Sequence, residues 1–160
     1  MSDEIQFYPI NKILLPTDGS KFSIKAAKYA AKVAKKHDSK VTVIHVMDLP
    51  FPRKHKLEPI QIDDLESATI EIEQGRKLKD RAIKIINETT KFLIKENITF
   101  DTEYFLFGNI SEIIVDTAEE ENFDLIIMGH KGLTGVKHAM MGSVAERVCH
   151  IAPCPVLIIR

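Results

Sequence analysis

Two short apolar runs, Lys12-Ile-Leu-Leu-Pro-Thr-Asp18 and Val41-Thr-Val-Ile-His-Val-Met47, are joined by a helix-periodic segment from about Ser20 to His37, a spacing that leaves few ways to fold. The apolar positions of the first run are consecutive rather than alternating, which suits a strand covered on both faces of a parallel sheet. The segment between the runs puts Phe22, Ala26, Ala30, Val33 and Ala34 at helical spacing and lysines on the other side. A strand, a helix long enough to cross over and a second strand imply a right-handed parallel unit.

The alternation continues down the chain. Leu49 to Pro59 holds three prolines and the basic cluster Arg53-Lys-His-Lys56, which predicts a loop leaving the sheet with a solvated charge run. From Gln61 to Glu96 the pattern is helical, with Leu78, Ala82, Ile85, Ile86, Thr89, Phe92 and Leu93 on one stripe; Gly75 is expected to interrupt it, at about 1 kcal/mol. Phe100 to Phe107 alternates polar and apolar residues, as at a sheet edge. Asn109 and Glu112 stand at N-cap and N3 spacing for a helix whose Ile110, Ile113, Ile114 and Ala118 face inward, and Glu119-Glu-Glu121 closes it as solvated surface. Phe123 to Met128 is a fourth strand, Ser143 to Ile151 a last helix and Pro155 to Ile159 a fifth strand. Five strands alternating with four helical segments predict an α/β fold, one doubly wound domain over residues 1–160 with a five-stranded parallel sheet and helices on both faces.

At 160 residues one domain buries roughly 70% of its extended-chain surface without staples. A formal charge of −1 gives no global pull toward nucleic acid or an anionic membrane, so neither is expected as a partner. Cys149 and Cys154 lack C-x-x-C or zinc spacing and read as buried thiols in a reducing compartment. Met1 to Gln6 lacks a basic n-region and an apolar h-region, and no run approaches the roughly 18 residues of a membrane span; the expected location is the cytoplasm.

Between the fourth strand and the last helix runs Met128-Gly-His-Lys-Gly-Leu-Thr-Gly-Val-Lys-His-Ala-Met-Met-Gly-Ser143. Glycines let backbone N–H groups approach an anion, and a helix N-terminus adds unpaired donors, so this loop is built like a phosphate site over Gly142 and Ser143. It is no P-loop: Met141 rather than lysine precedes Gly142. Ser143-Val-Ala-Glu146 also reads as a capping box. Asp18, at a strand end before Gly19, is either a ligand-binding carboxylate or a turn residue bonding its own backbone. His130, Lys131, Lys137 and His138 are placed to supply charge-assisted bonds to phosphate, whereas His45, alone in a strand, reads as structural.

Gly129, Gly132, Gly142 and Ser143 resemble the G-x2-G-x9-G-[ST] signature of the universal stress protein family in its ATP-binding branch. The Asp18 strand end, the Val43-Ile-His-Val46 strand and the final Pro-Cys-Pro-Val-Leu-Ile-Ile run also stand where that family has them. The resemblance covers nearly the whole chain except Leu49 to Gly75. It implies strand order 3-2-1-4-5, with Pro16, Thr17, Asp18 and Val46 around adenine and ribose. Met128, Gly129, Gly132, Gly142, Ser143 and Val144 follow along the ribose and phosphates, with His130 inside the same loop.

The resulting expectation is a cytoplasmic ATP-binding regulatory or stress-response module acting on an unnamed protein client. A slow Mg2+-dependent ATPase or phosphotransferase using the same pocket is the enzyme alternative, and a dimeric interaction module with a vestigial pocket is the third. Only one well-placed carboxylate is visible, which favours binding over turnover. If the family's order holds, Val156 to Ile159 lies at a sheet edge and is expected to pair two copies into a homodimer.

Overall fold

The computed structural model describes residues 8–47, 72–105, 109–133 and 141–160. Strands β1 (Lys12–Pro16), β2 (Lys40–Val46), β3 (Phe100–Phe105), β4 (Leu125–Gly129) and β5 (Val156–Ile159) form one parallel sheet in the order β3-β2-β1-β4-β5. The helices are α1 (Lys21–His37), α2 (Ile72–Lys95), α3 (Ile110–Glu120) and α4 (Ser143–Ile151). The strand order implied by the family resemblance is the one observed, with alternating β3 at one edge and β5 at the other.

Consecutive apolar residues on β1 serve two cores. Ile13 and Leu15 join Val41, Val43 and Ile127 beneath the alanine-rich side of α1 and the Ala82, Ile86, Leu93 stripe of α2. Leu14, one residue out of phase, joins Ile44 and Ile126 beneath Ile113, Ile114 and Ala118 of α3 and Ala145 and Val148 of α4. Ile13, Leu14 and Leu15 are all fully buried, so each contributes about 1.5–3 kcal/mol of burial, on alternate sides of one strand.

Local chemistry sets the ends of the elements. Ser20 caps α1 by accepting from the Ser23 amide at 3.2 Å, and Asp38 ends the helix in the left-handed region with φ 56°. Asn109 caps α3, accepting from the Ser111 and Glu112 amides as its spacing predicts. Asp124, just before β4, accepts from the amides of Asn11 and Lys12 at 2.8 and 2.9 Å, stitching the start of β1 to its neighbour.

Four sequence readings differ from the structure. Helix α2 runs from Ile72 through Gly75 without a break, because a local cost of about 1 kcal/mol is small beside the burial of the rest of its stripe. Cys149 is exposed and Cys154 half-buried, and burial pushes the Cys154 thiol up; α4 is short and turns Cys149 to its outer side. The other two lie in the glycine loop, where Ser143 is not the N-cap and the His130 ring packs against Phe22. The expected Leu49 to Pro59 loop, the Gln61 start of the helix, Lys137 and His138 lie outside the described residues.

Glu103 on β3 is the least comfortable group in the sheet. One of its carboxyl oxygens is buried without a hydrogen-bond partner. Burial, the neighbouring Glu121 carboxyl and Asp101 raise its pKa to about 7, against the pull of Lys12. A folded-state value above the unfolded one means that stability is lost as pH rises from about 4.5 to about 7. Glu103→Gln is therefore expected to raise the melting temperature at pH 8 and to change it little at pH 4. The gain should be roughly 1 kcal/mol, discounted because the side chain keeps contact with water, and thermal melts at the two pH values measure it.

Candidate functional site

β1 and β4 are neighbours, yet the chain leaves β1 into α1 on one side of the sheet and leaves β4 toward α4 on the other. That divergence opens a crevice beyond the carboxyl ends of the two strands. The described walls of the crevice come from the β1–α1 turn and the two ends of the glycine loop.

Asp18 holds them together. One carboxylate oxygen accepts from the Ser20 amide at 2.9 Å, the turn-residue role, and the other accepts from the Leu133 amide at 2.9 Å, across the crevice. The turn-residue reading of Asp18 is the one observed, and the same side chain also reaches the glycine loop. Gly132 lies at the crossing: a Cβ there would stand 2.6 Å from the Asp18 Oδ2, so a side chain would displace the carboxylate. Ser20 adds a longer bond from its hydroxyl to the Lys131 carbonyl at 3.4 Å.

Gly129 has the tighter constraint. A Cβ on it would lie 2.7 Å from the Phe22 carbonyl carbon and 2.9 Å from the Ser23 amide, so only glycine lets α1 start this close to β4. The following residue, His130, turns its imidazole away from the crevice. Nδ1 lies 3.3 Å from the Ile159 carbonyl and the ring packs edge-on against Phe22 at 4.1 Å. Burial holds its pKa below the usual histidine value. The expected charge-assisted bond from this side chain to phosphate does not fit that orientation; what His130 gives the loop is its main chain, since its carbonyl accepts from the Gly142 amide at 2.7 Å.

That bond brings the far end of the glycine loop back over the near end and aims α4 at the crevice. Gly142, not Ser143, is the N-cap, and no side chain caps the helix. Ser143 is the first helical residue, and the capping-box reading is overturned because the helix begins one residue earlier than that box requires. The Glu146 amide bonds the Gly142 carbonyl, so helix geometry leaves the amides of Ser143, Val144 and Ala145 without intrahelical acceptors. Ser143 is exposed, and Gly142 and Val144 are half-buried.

The remaining expected residues frame this end of the sheet. Pro16 and Val46 end β1 and β2, while Met128 is buried with the α3–α4 core beside the end of β4. Thr17 is buried, and its hydroxyl is 2.8 Å from the Thr89 hydroxyl and 3.3 Å from that of Ser23. Its carbonyl meets His45 Nδ1 at 2.8 Å. Since a carbonyl only accepts, Nδ1 carries the proton, and burial keeps His45 below the ordinary histidine pKa, mostly neutral at neutral pH. Thr89, Ser23 and His45 therefore act as a bracket that fixes the turn carrying Asp18. Sequence reading missed the first two, whose only signal was polar residues on otherwise apolar helix stripes.

The architecture is that of a doubly wound α/β protein with a ligand-type crevice at its topological switch point. The chain belongs to the universal stress protein family, whose pattern matches residues 9–160. A universal stress protein of Methanocaldococcus jannaschii is 36% identical over 153 residues, covering 93% of this chain and 81% of that protein. Among solved structures, the universal stress protein UspA from Lactobacillus plantarum superposes with a TM-score of 0.75 at 24% identity, covering 96% of this chain and all of the other. The universal stress protein from Archaeoglobus fulgidus, solved in complex with dAMP, gives 0.66 at 20% identity, again over 96% of this chain and 100% of the other.

Among the described residues no group of three or more histidine, cysteine or acidic side chains is arranged to hold a metal ion, and no helix is long and apolar enough to cross a membrane.

Gly129→Ala should be the most damaging single-methyl change in the site, because its clash is with backbone. An expected loss of about 2–3 kcal/mol would appear as a melting point lowered by several degrees. Gly142→Ala, whose nearest atoms are at 3.2 and 3.3 Å, should cost well under half as much; equal melting points for the two variants would contradict the packing described.

Proposed function

We propose that the protein is an ATP-binding regulatory module, a single domain whose nucleotide occupancy alters its interactions with a client protein. The observation that carries this reading is the meeting, across one crevice, of the Asp18 carboxylate, the glycine loop and the uncapped N-terminus of α4. Unpaired amides with positive partial charge suit phosphate, and a carboxylate at the end of β1 suits ribose hydroxyls or the adenine edge. In this reading Pro16, Thr17, Asp18 and Val46 surround adenine and ribose. Met128, Gly129, the His130 main chain, Gly132, Gly142, Ser143 and Val144 line the path to the phosphates. The dAMP complex of the Archaeoglobus fulgidus relative supports an adenine nucleotide as ligand class.

Binding is favoured over turnover. Asp18 is the carboxylate at the described mouth and both its oxygens already bond backbone amides, so a Mg2+ ion arriving with ATP would be held chiefly by phosphate oxygens. Hydrolysis, if assayed, should be slow and dependent on added metal. The cytoplasm is the location this proposal assigns to the module.

Mass spectrometry of small molecules released on denaturing the purified protein, with calorimetric titration of ATP, ADP and AMP, tests the reading. Bound or binding ATP is expected. Asp18→Ala should weaken it about tenfold, the worth of one charge-assisted bond, and Gly132→Val with Gly142→Val should abolish it. A protein that takes up none of the three nucleotides overturns the proposal.

The same module should be a homodimer through β5. Leu157 is 37% exposed, and Val156 and Ile158 are half-buried along an edge with unpaired backbone groups. Sedimentation velocity is expected to show a dimer that Leu157→Lys converts to monomer; a monomeric parent protein at tens of micromolar would refute the pairing.

A further inference from the structure

The formal charge of −1 conceals a separation of charge across the sheet. Helix α1 carries six lysines and no carboxylate. On the other side of the sheet, α3 carries Glu112, Asp116, Glu119 and Glu120 and no cation. We propose that the outward face of α1 and α2 is a docking surface for an anionic lipid bilayer.

The face is built from rows. Ala26, Ala27, Ala30, Ala31 and Ala34 are buried against the sheet, and at about 100° per residue Lys21, Lys25, Lys28, Lys32 and Lys36 fall on the opposite side of the helix. All five are exposed and extend over about 22 Å of helix axis. On α2, exposed Lys84, Lys91 and Lys95 form a second row. The rows run side by side: the ammonium groups of Lys28 and Lys91 lie over the same Phe92 ring, at 5.0 and 5.1 Å from its centre. Asp80 and Glu88 interrupt the second row, and Lys35 pairs with Glu96 at 2.7 Å on the seam. In the first row, among the described residues, only Lys25 has a polar partner, the Arg160 carbonyl at 3.3 Å.

Three features favour a bilayer over other polyanions. The first row consists of lysine alone, a point charge on a flexible stem, and on α2 the exposed Arg81 lies beside Lys84; flexible lysine stems suit mobile headgroups, which need no planar fork locked onto an individual phosphate. Among the described residues the face is made of two helices lying side by side, with no element projecting from it into a duplex groove, and the Phe22 and Phe92 rings sit beneath lysine ammonium groups rather than open to stacking with bases. Lysine is depleted at the centres of protein interfaces, and here lysines alone make up the first row, with Tyr29 and Arg81 at its margins rather than at its centre. Tyr29, 50% exposed at the border of the first row, has the amphipathic character of side chains that settle at headgroup level. A charged plane would also orient the molecule, turning α3 away from it.

Co-sedimentation of the full chain with vesicles is the test. Binding to phosphatidylserine–phosphatidylcholine vesicles is expected to exceed binding to phosphatidylcholine alone at least tenfold. It should vanish between about 0.1 and about 1 M salt as the Debye length falls from about 10 to about 3 Å. Lys28→Glu, Lys32→Glu and Lys91→Glu together should lose at least tenfold, the matching glutamine triple should lose less, and Glu119→Lys with Glu120→Lys on α3 should keep binding. Circular dichroism and melting points confirm that the variants fold, and the glutamine triple keeps the test open should the glutamate triple not fold. A parent protein that stays in the supernatant at low salt, or folded triples that pellet like the parent, overturns the proposal. Retention on duplex DNA without vesicle binding overturns it in favour of nucleic acid.

Discussion

Burial of β1 between β2 and β4 is the constraint on which the rest depends. A central parallel strand must be apolar on both faces, and Ile13, Leu14 and Leu15 meet that demand by feeding alternate side chains into two separate cores. Once β1 is central, the chain can reach its neighbours only through helices laid on the sheet, and the helices that leave β1 and β4 lie on opposite sides. The crevice between their starting points is therefore a consequence of topology. Asp18 and the glycine loop reach it because they are the first residues beyond those two strands.

What the topology opens, hydrogen bonds then shape. Asp18 spans the gap to the Leu133 amide, His130 ties the loop to both Gly142 and the carbonyl of Ile159 on β5, and the Thr17, Ser23 and Thr89 hydroxyls anchor the turn from below. These polar groups lie where apolar packing stops, and fixing them in advance lowers the ordering cost of receiving a ligand. His130 also joins the loop directly to the edge strand, so the proposed nucleotide site and the proposed dimer edge share one residue.

Much of this was legible in the chain. Runs of consecutive apolar residues marked central strands, alternation marked β3 as an edge, and Asn109 announced its helix because a side-chain cap leaves a local signature. The misreadings share a physical cause. Gly75 looks like a breaker only if local propensity decides, and the packing of a long helix outweighs it. Ser143 looks like a cap by spacing, but the bond from the Gly142 amide to His130 fixes the helix start elsewhere. The His130 side chain looks available until Phe22 and Ile159, distant in sequence, close around it.

The sequence by itself determined the parallel α/β class and the number of strands, with the strand ends placed only to within two residues, because period, run length and punctuation are local properties. The family resemblance supplied the strand order. Tertiary structure alone decided that Leu133 faces Asp18, that Thr89 supports Thr17, and that the lysines of α1 and α2 lie on one side of the sheet while the carboxylates of α3 lie on the other. A summed charge of −1 holds no trace of that separation, since it depends on which face of the sheet each crossover helix covers. That choice is made by long-range packing.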